Sequence, residues 1–199
     1  MRFKSSIIGM PFLAIILTSS LNLSCISDDN EPEEGACGGN ENFPYMEEGN
    51  QWTYQLESFF MADAEMTVTI AEPLEPGKFK VLIDSDLIDE PIENIWFSCG
   101  ENISQMNTAT DDPLNNIFRK NAPAIGATWE GNNNNEVGKY EVIDKNVTVI
   151  TDAGSFVCDK ITFHIEDAFN VDTIYESSNY GTIKYDGIFL KYELSQKNF

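Results

Sequence analysis

From Phe43 onward, apolar and polar residues alternate in short runs that are separated by turn-forming residues. The apolar positions of these runs are Trp52, Tyr54, Leu56; Met66, Val68, Ile70; Phe79, Val81, Ile83; Tyr140, Val142; Ile161, Phe163, Ile165; and Ile188, Leu190, Tyr192, Leu194. A period of two is typical of a strand with one buried and one solvated face. The pattern predicts a single all-β domain over residues 43–199, with about ten strands in an antiparallel sheet.

Residues 112–120 break this alternation and predict a short helix. Asp112 can cap its start, and Pro113 suits its first turn. The apolar residues of the segment lie at positions i, i+3 and i+4, namely Leu114, Ile117 and Phe118. We expect this one helix to pack over the open side of the sheet.

Residues 1–24 have the parts of a secretory signal peptide. Arg2 and Lys4 precede an eleven-residue apolar stretch at 7–17, which is shorter than the roughly 20 residues of a membrane-spanning helix. The sequence Leu-Asn-Leu-Ser-Cys ending at Cys25 resembles the lipobox of bacterial lipoproteins, whose cysteine is acylated and becomes the first residue. The resemblance implies a palmitate-type anchor on Cys25. The alternative is a conventional signal cleaved nearby, with Cys25 as an ordinary thiol.

Residues 25–42 predict a lipidated acidic linker. The run at 27–34 (Ser-Asp-Asp-Asn-Glu-Pro-Glu-Glu) resembles the surface-export signal of Bacteroidota lipoproteins. That resemblance implies an outer-membrane protein exposed on the cell surface, and the periplasmic face is the alternative. The same composition also predicts a charged, disordered tether.

The charge of the chain limits its partners. Arg2 and Lys4 leave with the signal peptide, so 10 basic side chains oppose 33 acidic ones and the mature chain has a formal net charge of -23. Such a charge disfavours nucleic acid, whose phosphates bind Lys and Arg, and flat docking on anionic lipid. The lipid anchor is therefore the expected membrane contact.

Four sequence motifs resemble an uncharacterised family of bacterial outer-membrane lipoproteins. They are Gly-Asn-Gln-Trp-Thr-Tyr at 49–54 after Tyr45, Pro-Ala-Ile-Gly-Ala-Thr-Trp at 123–129, Thr-Asp-Ala-Gly-Ser-Phe-Val-Cys-Asp-Lys at 151–160 and Tyr-Gly-Thr-Ile-Lys-Tyr at 180–185. The resemblance implies a strongly curved, open half-barrel like that of lipoprotein-localisation factors, which shelters apolar groups in its concave face. The resemblance implies no catalytic residue for this chain.

Cysteine usage predicts one disulfide and one free thiol, because acylation of Cys25 leaves three cysteines in an oxidising compartment. Cys99 and Cys158 both lie in strand-like segments, so their pairing is favoured. Pairing of Cys37 with either one is the alternative.

No catalytic, metal or cofactor site is predicted. His164 is the only histidine, and alternation with Ile161 and Phe163 places it on the solvent face, so a zinc site or a Ser-His-Asp triad is disfavoured. Two acidic clusters, Asp84, Asp86, Asp89, Glu90 and Asp111, Asp112, are of the type that binds calcium weakly or supplies paired carboxylates. Solvated turns are the favoured interpretation of both.

The three tryptophans, Trp52, Trp96 and Trp129, are candidates for a ligand groove, although large aromatic residues in a small β domain are more often core. The leading hypothesis is a non-catalytic, lipid-anchored envelope protein that binds an apolar or extended ligand, or another envelope protein. The alternatives are a carboxylate-based hydrolase of surface polysaccharide and a structural accessory subunit of a surface complex.

Overall fold

The structure, a computed structural model, describes residues 41–60, 62–106, 116–133, 136–165 and 171–199. The predicted signal peptide, Cys25, Cys37 and most of the predicted linker therefore lie outside the described residues, as do Asp111 and Asp112. Within the described ranges, no helix is long and apolar enough to span a membrane.

Twelve strands make up the described domain, two more than expected. They are β1 (Gln51–Ser58), β2 (Ala64–Glu75), β3 (Lys78–Ser85), β4 (Ile92–Cys99), β5 (Asn102–Met106), β6 (Ile117–Lys120), β7 (Thr128–Asn133), β8 (Glu136–Thr151), β9 (Gly154–His164), β10 (Val171–Ser177), β11 (Gly181–Asp186) and β12 (Leu190–Lys197).

The strands form one antiparallel sheet in the order β6-β5-β4-β3-β2-β1-β12-β11-β10-β9-β8-β7. Every neighbour in this order is also a neighbour in the chain, except that β1 pairs with β12. The prediction of an all-β antiparallel domain is confirmed.

Local sequence explains the strands at the centre of the sheet. In β1, Trp52, Tyr54 and Leu56 are buried and their neighbours are not. β2 and β3 are joined by Pro76 and Gly77, and Gly77 has a φ of 72°. Proline followed by a residue of positive φ is the arrangement of a type II turn, which reverses the chain within two residues.

The sheet curls into a nearly closed barrel, which corrects the expected open half-barrel. Its two edge strands, β6 and β7, lie side by side: a Cβ atom at Gly131 would overlap the carbonyl oxygen of Ile117. Lys120 of β6 also places its Nζ 5.6 Å from the ring centre of Trp129 in β7. The edges approach because glycine leaves room for the facing backbone.

The predicted helix at 112–120 is wrong for its described part. Ile117–Lys120 is strand β6, in which Arg119 pairs with Ile103 and Lys120 with Asn102 of β5; residues 112–115 lie outside the described residues. The i, i+3, i+4 pattern spans too few residues to outweigh the backbone pairing and side-chain burial available beside β5.

One end of the barrel is closed by residues 43–46, in which Phe43, Tyr45 and Met46 are buried. Phe199 at the C-terminus packs against Trp52 at the same end, with ring centres 5.1 Å apart. The turns β1–β2 and β11–β12 lie at the opposite end of the strands. We call these the closed end and the mouth.

Candidate functional site

A buried ion pair lies inside the barrel near the closed end. Arg119 Nε of β6 and Glu176 Oε2 of β10 are 2.8 Å apart, and the two side chains are 6% and 12% exposed. β6 and β10 are not neighbours in the sheet. The pair therefore bridges the barrel interior instead of running along its wall.

Tyr45 and Thr182 complete the polar network. Arg119 Nη1 donates to Tyr45 Oη at 3.0 Å, and Nη2 donates to Thr182 Oγ1 at 2.5 Å and to Glu176 Oε1 at 3.3 Å. Thr182 Oγ1 donates in turn to Glu176 Oε1 at 2.7 Å. The contact between Nε and Oε2 does not have hydrogen-bond geometry, so at those two atoms the attraction is that of an ion pair alone.

Aromatic rings surround the guanidinium. The Cζ atom of Arg119 lies 5.3 Å from the ring centre of Tyr45, 5.7 Å from that of Trp96 and 5.1 Å from that of Phe118. Ring faces attract a cation, and more strongly where water is excluded. Gly181, with a φ of 77°, passes so close that a Cβ there would lie 3.0 Å from Nη1. The positive charge is thus enclosed on several sides.

The two ionisable groups respond differently to burial. Burial raises the pKa of Glu176, and Arg119 and Thr182 offset that rise only in part. For Arg119, burial lowers the pKa, but attraction to Glu176 and Tyr45 outweighs it and the net shift is upward. Arg119 is charged, because a guanidinium is not deprotonated in proteins.

A cavity of about 150 Å³ lies on the mouth side of this pair. Its walls are mainly aromatic and aliphatic, with four polar side chains. The lining residues are Trp52, Tyr54, Met66, Val68, Ile83, Trp96, Gln105, Phe118, Arg119, Tyr140, Ile174, Glu176, Thr182, Leu190 and Tyr192. Met66, Ile83 and Leu190 are partly exposed near the mouth, so the cavity approaches solvent at that end.

The buried core of the described residues forms two clusters, and the cavity is lined by members of both. One contains Trp52, Tyr54 and Trp96, and the other contains Trp129, Tyr140 and Ile174. Tyr192 packs against both, with its ring 5.2 Å from that of Tyr54. The cavity is thus lined by residues of both clusters and by Tyr192, which contacts each of them.

Two of the three predicted groove tryptophans line the cavity, namely Trp52 and Trp96; Trp129 does not. Trp129 stacks on Tyr140, a lining residue, with ring centres 5.1 Å apart. The indole N–H of Trp52 donates to Tyr180 O at 2.6 Å. Those of Trp96 and Trp129 are buried and have no acceptor within the described part of the chain.

The expected Cys99–Cys158 disulfide is wrong. Cys158 is a buried free thiol, whereas Cys99 is disulfide-bonded to a partner outside the described residues. Cys158 points into the larger core cluster, and Cys99 is partly exposed at the closed end of β4. The two strand-like segments belong to β9 and β4, which lie far apart in the sheet order.

The mouth carries a cluster of exposed aromatic residues. Phe59, Phe60 and Phe189 are 81%, 72% and 55% exposed. Phe60 stacks on Phe189 with ring centres 5.6 Å apart, and Phe59 lies 5.0 Å from Phe60. We call these three residues the mouth cluster.

The other polar candidates lie on the surface. His164 is exposed at the end of β9, as predicted. Asp84, Asp86, Asp89 and Glu90 are exposed in and after β3. Among the residues that the structure describes, no group of three or more His, Cys, Asp or Glu side chains is arranged to hold a metal ion. Glu176 is the one carboxylate among the cavity-lining residues given above.

The sequence interpretation missed Arg119 and Glu176. Arg119 lies within the segment 112–120 that the sequence predicts to be helical, and nothing local distinguishes it from a surface residue. Glu176 does carry a signal, because it follows the buried Ile174 by two residues and so shares its face of β10. A carboxylate on an apolar face indicates a buried partner.

Comparison with protein-family models gives no match to this chain, and comparison with curated protein sequences gives no significant match.

Proposed function

We propose that this chain is an exported lipoprotein, anchored through acylated Cys25, whose barrel binds a small apolar ligand without catalysing a reaction on it. The observation that carries the proposal is the cavity of about 150 Å³ between the two core clusters, with Trp52, Tyr54 and Trp96 in its wall. Protein interiors are normally packed with few voids larger than a water molecule. A void of this size next to a polar group that is held in place by hydrogen bonds is typical of a ligand-binding site.

The polar network supplies the fixed group. Arg119 and Glu176 are held by Tyr45 and Thr182, so they form a floor for the cavity that does not reorganise on binding. A preformed floor reduces the entropic cost of binding.

The position of the closed end fits an anchor upstream of the barrel. Phe43, Tyr45 and Met46, which follow the predicted linker, are buried at the closed end. By the resemblance of the acidic run, the anchored protein would be exposed on the outer face of the outer membrane.

Filling the cavity tests the binding claim. Purified chain carrying Cys25→Ala is titrated with toluene by calorimetry, next to versions carrying Val68→Phe or Val149→Phe. Val68 and Val149 are both buried in the larger cluster, and Val68 alone of the two lines the cavity. Toluene should bind the parent and Val149→Phe and lose binding in Val68→Phe. Equal binding to both valine variants, or none to the parent, rejects the proposal.

The anchor has its own test. Cells expressing the wild-type chain should incorporate labelled palmitate, and cells expressing Cys25→Ala should not. Protease treatment of intact cells then separates the surface from the periplasmic face. Incorporation into the Cys25→Ala chain would contradict anchoring at that residue.

The mouth cluster favours a second candidate function, docking to another envelope protein. Stacked, solvent-exposed aromatic rings are typical of interaction surfaces. A photo-crosslinking residue at position 60 should then yield one defined adduct, and the same residue at Ile150, which is 77% exposed on β8, should yield none. Identical adducts from the two positions would count against docking at the mouth. The carboxylate-based hydrolase and the accessory subunit stay predictions from the sequence.

A further inference from the structure

We infer that the mouth cluster binds a polypeptide segment that is both apolar and basic, with lysine or arginine side chains placed around a hydrophobic centre. The inference rests on the second candidate function, docking at the mouth, and it names the chemistry of the partner. Two observations carry it: exposed apolar side chains on neighbouring turns, and a surplus of acidic side chains around them.

The apolar surface at the mouth extends beyond the mouth cluster. The turns β3–β4, β1–β2 and β11–β12 lie side by side, because the sheet order places these three hairpins next to one another. The backbone N–H of Phe59 donates to Phe189 O at 3.2 Å, and that of Asp86 donates to Glu65 O at 3.3 Å, so each turn is joined to the hairpin beside it. Leu87 in the β3–β4 turn is exposed as well. An exposed apolar surface with a polar rim is typical of an interaction site.

The charge around this surface is almost entirely negative. The three turns and the strand residues next to them, 57–65, 84–90 and 186–191, hold eight acidic side chains and one basic side chain. The basic one, Lys191, lies directly opposite Glu57 in the register of β1 and β12. Across an interface, opposite potentials attract and like charges repel. A complementary partner surface is therefore positive.

The same charges disfavour two other occupants of the mouth. A second copy of this chain would place its own acidic turns against these turns, and anionic lipid would bring its headgroup phosphates to them. A basic segment has the opposite effect, and its cations can also lie over the exposed ring faces of Phe60 and Phe189. Its apolar centre would pack against the same two rings.

Three fluorescently labelled peptides of equal length separate the apolar requirement from the basic one. The first is an amphipathic helix of Lys and Leu, the second replaces each Lys by Glu, and the third replaces each Leu by Ser. Each is titrated with the chain carrying Cys25→Ala, and binding is followed by fluorescence anisotropy. The Lys–Leu peptide should bind about tenfold more tightly than either of the others. Its binding should weaken as sodium chloride is raised, because salt screens the carboxylates.

Variants of exposed apolar residues show whether the mouth is the binding surface. Phe60→Ser should weaken binding of the Lys–Leu peptide about tenfold, as the loss of a central aromatic contact does. Ile150→Ser is the matched control, because Ile150 is exposed to a similar extent but lies on β8, outside the three turns. That variant should bind the peptide as the parent does.

Variants of exposed carboxylates test the charge. Glu65→Gln combined with Asp86→Asn should weaken binding of the Lys–Leu peptide about threefold and reduce its dependence on salt. Glu130→Gln combined with Glu141→Gln is the matched control, because it removes the same number of exposed carboxylates from β7 and β8. That control should keep both the affinity and the salt dependence of the parent.

The outcomes separate this inference from docking itself. Tightest binding of the Glu–Leu peptide, equal losses in Phe60→Ser and Ile150→Ser, or equal losses in the two carboxylate variants overturns the inference, even where the photo-crosslinking residue at position 60 yields a defined adduct. A crosslinked segment that is acidic, or that belongs to a second copy of this chain, overturns it as well. Absence of any adduct at position 60 rejects docking at the mouth together with the inference, and toluene binding in the cavity is tested independently of both.

Discussion

Arg119 and Glu176 join two strands that are not neighbours in the sheet, with Nε and Oε2 2.8 Å apart inside the barrel. A buried ion pair adds little net stability, since desolvation of both charges opposes their attraction. The pair instead fixes where β6 lies relative to β10, and it keeps a polar floor under the cavity. This explains why a chain with only 12 basic residues places one of them in its core.

Removing one member of the pair should be far more harmful than removing both. Glu176→Leu leaves a buried guanidinium without its anion and should lower the free energy of unfolding by about 3–5 kcal/mol. The double variant Arg119→Met, Glu176→Leu should recover most of that loss, because neither charge is then buried. Urea unfolding of the single and double variants measures the coupling.

The exposed pair Lys80–Glu93 serves as the control for that comparison. Its atoms are 2.7 Å apart, but Glu93 is 63% exposed, so Glu93→Gln should leave the free energy of unfolding nearly unchanged. A double variant whose loss equals the sum of the two single losses would show that Arg119 and Glu176 act independently.

Buried tyrosines should make the protein unstable to alkali. Burial raises the pKa of Tyr45, Tyr54, Tyr140 and Tyr192 above the ordinary value of 10.0. Above pH 10.0 the unfolded chain has released phenolic protons that the folded chain keeps, so the free energy of unfolding falls as pH rises. Absorbance at 295 nm and circular dichroism, followed together, should show these four tyrosines ionising only as the sheet is lost. Ionisation of all seven tyrosines before any loss of structure is the contrary result.

Cys158 should be inert in the folded protein. Burial raises the pKa of its thiol to about 12, so almost no thiolate exists at pH 8, and the thiolate is the reactive form. Iodoacetamide should leave the native Cys25→Ala chain unmodified and add one group in urea. Alkylation of Cys158 at the same rate with and without urea would place this thiol at the surface.

The same sample identifies the partner of Cys99. We expect Cys37, the alternative that the sequence left open, because Asn42 Nδ2 donates to Gly100 O at 3.0 Å and so brings the chain upstream of the barrel close to Cys99. Non-reducing peptide mapping should recover the two cysteines in one linked peptide. Recovery of Cys37 as a free thiol would exclude that bond.

Closure of the barrel should depend on Gly131. A Cβ there meets the Ile117 backbone, which cannot move aside as a side chain does, so Gly131→Ala should cost about 3 kcal/mol, the upper end of overpacking. Gly126→Ala meets no atom within 4 Å and is strained only by its φ of 79°, so it should cost about 1 kcal/mol. Thermal unfolding of the two variants compares them; equal losses would mean that β6 and β7 are not closely packed.

Alternation predicted the strands whose inner faces are wholly apolar, such as β1 with Trp52, Tyr54 and Leu56. It failed at β6, where Phe118 and Arg119 are adjacent and both contact interior groups, so no period of two is visible. The sequence pattern did not predict closure of the sheet either, because closure depends on the close approach of Gly131 to Ile117, 14 positions earlier in the chain.

The residues of the candidate site could be predicted from the sequence only in part. Trp52 and Trp96 were candidates for a ligand groove, with core as the favoured interpretation, and they lie in the larger core cluster and line the cavity. The polar floor was not predicted, since the reason for burying Arg119 is Glu176, 57 residues later in the chain. Local sequence patterns indicate which residues are buried, but they do not identify a contact partner that is distant in the chain.

The most direct measurement is a crystal structure of the protein soaked with bromobenzene, whose bromine can be located by anomalous scattering. The account predicts one strong bromine peak inside the barrel, between Trp96 and Tyr192 and on the mouth side of Glu176. No peak in the interior, or a peak only on the surface beside Phe60 and Phe189, would contradict it.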